Sequence, residues 1–288
     1  MPDSTQPNHH SSSFRLAFED RDFLLSPSTR GVRFMLEYSK PEEILQAWGV
    51  RSTIVVFGSA RVPSPEKAAD LRAAARTPEE KRLAEMRTEQ VAWYQEARRF
   101  ARLVSEKGGA LAPDENGLRD NVIATGGGPG LMEAANRGAS EAGAPSIGFN
   151  IVLPFEEHPN PYSTPALTFR FHYFAIRKMH LAMRANALAV FPGGFGTLDE
   201  AFEILNLQNT NKATRLPIVL VGKAFWNEIV NFEALSRHGM ISPHDLDRFD
   251  IVDTAEEAWE TILQRGLKRG APPLGPAGTG KSAEEEPE

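Results

Sequence analysis

Short apolar runs recur along the chain, each leading into a glycine-containing turn and then into a stretch with apolar residues three or four apart. Residues 53–60 (TIVVFGSA), 121–125, 187–191 and 216–222 (LPIVLVG) carry almost no polar alternation, which marks strands buried on both faces of a parallel sheet. Residues 146–153, 167–171 and 250–253 predict further strands. Between them, 89–107 places Val91, Tyr94, Ala97, Phe100, Ala101 and Val104 at helical spacing, and Gly108-Gly109 stops the helix. Further helices are expected from 131 and 197 onward and over 174–185, 224–236 and 255–267. This alternation predicts an α/β fold: a Rossmann-like, doubly wound parallel sheet flanked by helices, in a single domain spanning 31–268. Within it, 31–49 reads as two short helices interrupted at Pro41, and 62–88 as a charged, solvated helical insertion. Residues 1–30 read as an irregular tail. Residues 269–288, Pro/Gly-rich and then acidic, read as a disordered one.

Composition narrows the partners. With 288 residues, 41% of them hydrophobic, the chain can bury a large core. A net charge of −6 argues against nucleic acid or an anionic membrane as the main partner. No cysteine is present, so disulfides, thiol nucleophiles and thiolate metal sites are excluded. No apolar run matches a membrane span or a signal-peptide core, and a cytoplasmic location is expected. Neither the His9-His10 pair nor the adjacent Glu156, Glu157 and His158 has ligand spacing; no metal and no cofactor are expected. Residues 275–282 (GPAGTGKS) spell a phosphate-loop pattern, but no buried strand precedes it and no helix can follow, so nothing would aim its N–H groups.

The stretch ALAVFPGGFGTLDE (187–200) holds the strongest chemistry. A buried strand breaks at Pro192, passes Gly193, Gly194 and Gly196, and enters a helix at Thr197. Glycines admit a ligand to the backbone, and the N–H groups and dipole of the helix favour an anion, above all phosphate. Thr197 with Glu200 also fits a capping box, in which both would be structural. Residues 121–130 (NVIATGGGPG) repeat the strand–glycine-turn–helix pattern, with Gly127 and Gly128 in the turn and Glu133 in the first turn of the next helix. A third small-residue turn, Gly58-Ser59-Ala60, follows the first strand and makes Ser59 a binding candidate.

With GGGPGLMEAANRGA (126–139), the Arg177-Lys178 pair and PGGFGTLDE (192–200) on the page, the chain resembles the LOG-type nucleoside 5′-monophosphate phosphoribohydrolases, long mislabelled lysine decarboxylases. The resemblance spans roughly 53–252. It implies a homodimer that hydrolyses the N-glycosidic bond of AMP or a cytokinin riboside monophosphate to free base and ribose 5-phosphate. Arg177 and Glu200 match the family's catalytic pair, and Gly193, Gly194, Gly196 and Thr197 its phosphate loop. The chain departs from short plant-type members at Tyr173-Phe174-Ala175, at Glu133 where they carry glycine, and in its N-terminal region and insertion. A related branch of the fold carries molybdenum cofactor without cleaving anything, so a nucleotide or pterin carrier is the alternative.

Cleaving an N-glycosidic bond develops positive charge at C1′ and negative charge on the departing base. A Glu200 in the first turn of a helix is expected to stay ionised and to serve the sugar or a water. Arg177 keeps its proton and suits stabilising charge or fixing Glu200. Lys178, about 100° round the helix, points elsewhere and is read either as a phosphate ligand or as a solvated lysine. Glu133 is read either as a ribose ligand or as a complement to its helix dipole. No supporting context makes Lys178 a pyridoxal lysine, and neither glycine turn has the G-x-G-x-x-G spacing of a dinucleotide oxidoreductase.

Overall fold

The computed structural model describes residues 12–153, 158–213 and 215–267. Its strands are β1 (Thr53–Phe57), β2 (Val122–Thr125), β3 (Ser146–Ile151), β4 (Thr168–Phe171), β5 (Ala185–Val190), β6 (Ile218–Val221) and β7 (Asp250–Val252). All pair in parallel in one seven-stranded sheet of order β4-β3-β2-β1-β5-β6-β7. The helices are α1 (Arg21–Leu25), α2 (Arg30–Ala47), α3 (Pro65–Ala74), α4 (Pro78–Glu89), α5 (Val91–Lys107), α6 (Leu131–Glu141), α7 (Phe174–Met183), α8 (Phe195–Asn209), α9 (Lys223–Ile229), α10 (Phe232–Arg237) and α11 (Ala255–Gln264).

Alternation along β1 shows how the layers form. Ile54 and Val56 point into one core with Tyr94, Phe100 and Val104 of α5, Leu131 and Ala135 of α6, and Trp259 of α11. Val55 and Phe57 point into the other, with Leu181 of α7, Ile204 of α8 and Leu45 of α2. A strand with apolar residues on both faces can only lie inside such a sandwich. Each fully buried Phe or Leu contributes roughly 1.5–3 kcal/mol of transfer free energy. The chain works outward from β1 to β4, then crosses through α7 to β5 on the other side of β1. The strand order therefore reverses between β1 and β5, where doubly wound sheets open a crevice beyond their carboxyl ends.

Three elements differ from their sequence patterns. Residues 31–49 hold one 18-residue helix, not two, with Pro41 inside it; buried Pro41 and Leu45 anchor it to the body, and packing outweighs the missing N–H. The 62–88 insertion is two ordered helices, because Ser64 and Thr77 each cap a helix that begins with proline, Thr77 in a full capping box with Glu80. Residues 224–236 break into α9 and α10, with Asn231 capping the second. Within 1–30, the described residues from 12 onward include α1, capped by Asp20. His9-His10, Glu156, Glu157 and the 275–282 motif lie outside the described residues. No helix among the described residues is long and apolar enough to cross a membrane.

Candidate functional site

Three turns meet at the reversal point. The Ser59 N–H donates to Pro192 O (3.0 Å), and Ser59 O accepts from the Leu131 N–H (3.0 Å), so the turn after β1 ties both glycine turns together through its backbone. Gly130 has φ +71, and a Cβ there would lie 2.3 Å from Ser59 O, so only glycine allows this junction.

The glycines of the second turn divide the work. A Cβ on Gly193 would strike Thr197 Oγ1 at 2.1 Å, whereas Gly194 and Gly196 would meet nothing within 4 Å. Gly193 thus packs the turn onto buried Thr197, while Gly194 and Gly196 leave the N-terminus of α8 open to a guest. The helix starts at Phe195, capped by Gly194 without any side-chain bond, two residues earlier than the sequence suggests. Two expectations fall with that start: Thr197 and Glu200 form no capping box, and Glu200 lies in the second turn, away from the exposed N–H groups. Glycine at 194 and 196 removed the side chains that normally signal a helix start.

Arg177 and Glu200 come together as expected. Nη2 of Arg177 donates to Glu200 Oε1 at 2.5 Å, with the residues only 8% and 5% exposed. A Cβ on Gly126 would lie 3.9 Å from Arg177 Nη1, which puts the pair under the first glycine turn. Glu200 also borders a small gap walled by Val55, Phe57, Leu181, Leu188 and Ile204. Burial among these groups raises its pKa against the opposing pull of Arg177 and Lys178. Burial thus works against the ionised form expected of Glu200, while the two cations support it. The Arg177 Nε is buried without a partner.

Lys178 is not the solvated lysine of the second reading. Turned away from Arg177 on the helix, its Nζ lies 2.7 Å from Asp199 Oδ2 and 2.9 Å from Glu203 Oε2, on the outer face of α8. It is thus ion-paired rather than a free surface lysine. Glu133 is buried and engaged as well: it accepts from Tyr94 Oη (3.0 Å) and from Lys67 Nζ (3.2 Å), the latter supplied by the insertion. Each carboxylate oxygen thus has one protein partner.

Gly127 and Gly128 are held by residues that sequence reasoning missed. Asn160 Nδ2 donates to Gly127 O and Gly128 O (3.1 Å each) and to Asn136 Oδ1 (2.9 Å). Asn136 also accepts from Thr125 Oγ1 (2.7 Å) and donates to Ser146 Oγ (3.0 Å). The one available signal was Asn136, a polar residue on the otherwise apolar face of α6. His172 donates its backbone N–H to Glu37, and Phe195 stands 93% exposed at the loop tip.

A family model described as possible lysine decarboxylase matches residues 132–262, which include Arg177, the second glycine turn and Glu200. Within that segment the chain is similar to this family. Around that segment, the Rossmann-like sheet is similar to those of solved structures. One is the molybdenum cofactor binding protein from the phototrophic bacterium Rippkaea orientalis (19% identity, 75% of this chain and 97% of that one, TM-score 0.44). A second is the structural-genomics target TM1055 (21%, 74% and 99%, TM-score 0.45). A third is the Moco carrier protein from Chlamydomonas reinhardtii (18%, 74% and 96%, TM-score 0.43). No curated protein matches the chain by sequence.

Proposed function

We propose that the protein hydrolyses the N-glycosidic bond of a purine nucleoside 5′-monophosphate, AMP or a cytokinin riboside monophosphate, to free base and ribose 5-phosphate. The observation that carries this reading is the buried Arg177–Glu200 pair at the crevice, one helical turn beyond a glycine loop with two open positions. A site that only held phosphate would need the loop and not the pair.

In the proposed reaction the phosphate docks on the N–H groups around Gly194 and Gly196, the most open part of the helix N-terminus. The C1′–N bond breaks and its electron pair leaves with the base. Negative Glu200 faces the positive charge that grows at C1′, and water adds its oxygen there. Raised proton affinity suits Glu200 to take the proton from that water, a role an ordinary carboxylate fills less well, and the departed base takes up a proton in turn, which returns the site to its starting charge. Arg177 holds Glu200 in place and offsets negative charge as the base departs. The acyclic alternative chemistry of a decarboxylase finds no support, because Lys178 is committed to Asp199 and Glu203.

The resemblance further suggests a cytoplasmic homodimer; exposed Phe18, Met35 and Leu36 offer apolar surface for a second copy, and light scattering in solution tests it. For the reaction, purified protein is incubated with AMP and free adenine is followed by chromatography, with Glu200→Ala alongside. Adenine release by the wild type alone is expected. Binding of AMP and of other monophosphates without cleavage would refute the hydrolase and leave a nucleotide or pterin carrier.

A further inference from the structure

The helix that carries Arg177 begins without a cap of its own. Tyr173, the residue before α7, makes no side-chain bond to the helix start. The missing acceptor comes from far away in sequence. Glu37 of α2 reaches across with both carboxylate oxygens, Oε1 accepting the His172 N–H (2.8 Å) and Oε2 the Tyr173 N–H (3.1 Å). A negative group at that place also complements the α7 dipole.

Further contacts from α2 lock the same junction. Arg33 Nε donates to Tyr173 Oη (3.0 Å), and the Phe34 ring meets the Tyr173 ring edge-on at 4.5 Å. The Glu37 carbonyl accepts from His180 Nε2 (3.2 Å), which fixes the proton on that nitrogen because a carbonyl can only accept. At the far end of α7, Glu42 pairs with Arg184 through both guanidinium nitrogens, Nη2 at 3.0 Å. Thus α2 grips α7 at both ends.

The grip bears on Arg177 directly. The Arg177 N–H donates to Tyr173 O (3.2 Å), the first backbone bond of the helix, so whatever fixes Tyr173 fixes the Cα from which the guanidinium reaches Glu200. A misplacement of about 1 Å is enough to cost roughly 100-fold in a pre-organised site.

We propose that Glu37 is a positioning residue for Arg177: from outside the family-matched segment, its carboxylate sets the start of α7 and thereby the meeting of Arg177 with Glu200. The proposal rests on the hydrolase reading of the site. It gives the N-terminal helix a function in the reaction without contact to substrate.

The experiment compares Glu37→Ala and Glu37→Gln with the wild-type full chain by amide hydrogen exchange and by the pH profile of AMP cleavage. Loss of the acceptor should speed exchange over 172–177 in Glu37→Ala by about 5- to 10-fold, the scale of a lost helix cap, and kcat should fall by about as much with KM within about twofold. Glu37→Gln, with one acceptor and no charge, should fall between. Glu200 is faced by Arg177 and Lys178 of α7 and by Glu203 of its own helix, within apolar walls from β1 and β5. Drawing Arg177 away should therefore move the acidic limb of kcat to higher pH in Glu37→Ala. Unchanged exchange over 172–177 overturns the proposal, and so does faster exchange with an unmoved limb, which would make Glu37 a cap and nothing more. Should the wild type cleave no monophosphate, the hydrolase reading fails by itself, and exchange together with AMP affinity decides whether Glu37 still orders the site.

Discussion

Breaking the Arg177–Glu200 pair from either side should give unequal results. Both groups are more than nine-tenths buried and meet at 2.5 Å. Removing one partner of such a pair strands a buried charge and costs about 3–5 kcal/mol, whereas replacing both with apolar groups of similar volume is close to neutral. The two single variants differ in what the stranded group can do. In Glu200→Gln the guanidinium cannot shed its proton, and its Nε already lacks a partner, so the full cost should stand at every pH. In Arg177→Met the stranded Glu200 can take up a proton and become neutral among Val55, Phe57 and Leu188.

That difference fixes a sign. Burial already raises the Glu200 pKa while Arg177 and Lys178 pull it down; without Arg177 it rises further. A carboxyl whose folded pKa exceeds its unfolded one stabilises fully below the unfolded pKa and loses that contribution as pH rises through the folded pKa. Arg177→Met should therefore lose up to about 1.4 kcal/mol of stability per pH unit across that window relative to wild type, and Glu200→Gln should show no such slope. Urea unfolding of wild type, both single variants and the double variant Arg177→Met/Glu200→Gln at pH 5, 6.5 and 8 gives the cycle. A coupling energy of about 2 kcal/mol or more is expected. Additive singles, or an Arg177→Met penalty flat with pH, would refute the idea of a tightly coupled buried pair.

The glycine loop separates stability from binding. Gly196→Ala should stabilise the fold by about 0.8–1 kcal/mol, because it replaces glycine inside a helix with open space beyond, yet weaken AMP binding, read by urea unfolding and calorimetry. Gly193→Ala should instead destabilise by at least about 1–3 kcal/mol through its clash with Thr197, visible as a lower urea midpoint. Asn160→Ala should cost about 2–3 kcal/mol and raise KM more than it lowers kcat, since it frees two carbonyls of the first glycine turn. The pKa of His180, which is depressed chiefly by burial, should make stability fall with acid: its contribution is complete above the unfolded value near 6.5 and is lost as pH drops toward the folded one. His180→Phe, stacking on Phe149 and Tyr38 in its place, should flatten that slope in urea titrations between pH 5 and 7.5.

What could be read from the sequence was local. Buried strands declare themselves by unbroken apolar runs, and glycine turns by composition, so the parallel sheet and both turns followed without coordinates. Missing from the pattern was whatever depends on residues distant in sequence. Pro41 looked like a helix break because its packing against the body is invisible along the chain. The partners of Glu133 were hidden because Tyr94 and Lys67 lie on other helices. The surroundings of Glu200 were only half legible for a related reason: the cation is legible in the motif, but the walls of the gap come from β1, β5 and α7.

The fate of the Arg177-Lys178 pair shows why a motif is not one functional unit. Successive residues on a helix diverge by about 100°, so α7 can send only one of the two toward the crevice. Arg177 goes inward, where a planar, permanently charged group can hold a carboxylate without losing its proton. Lys178 goes to the outer rim of α8 and meets Asp199 and Glu203, one on either side of Glu200 in sequence. Both ion pairs join the same two helices, one layer above the other. The partly exposed lysine layer contributes little by itself to stability, but it ties α8, on either side of Glu200, to the helix that carries Arg177. On this view Lys178→Met should leave the fold nearly as stable and still reduce turnover, a combination that a direct phosphate ligand would not give, because loss of such a ligand would appear first in KM.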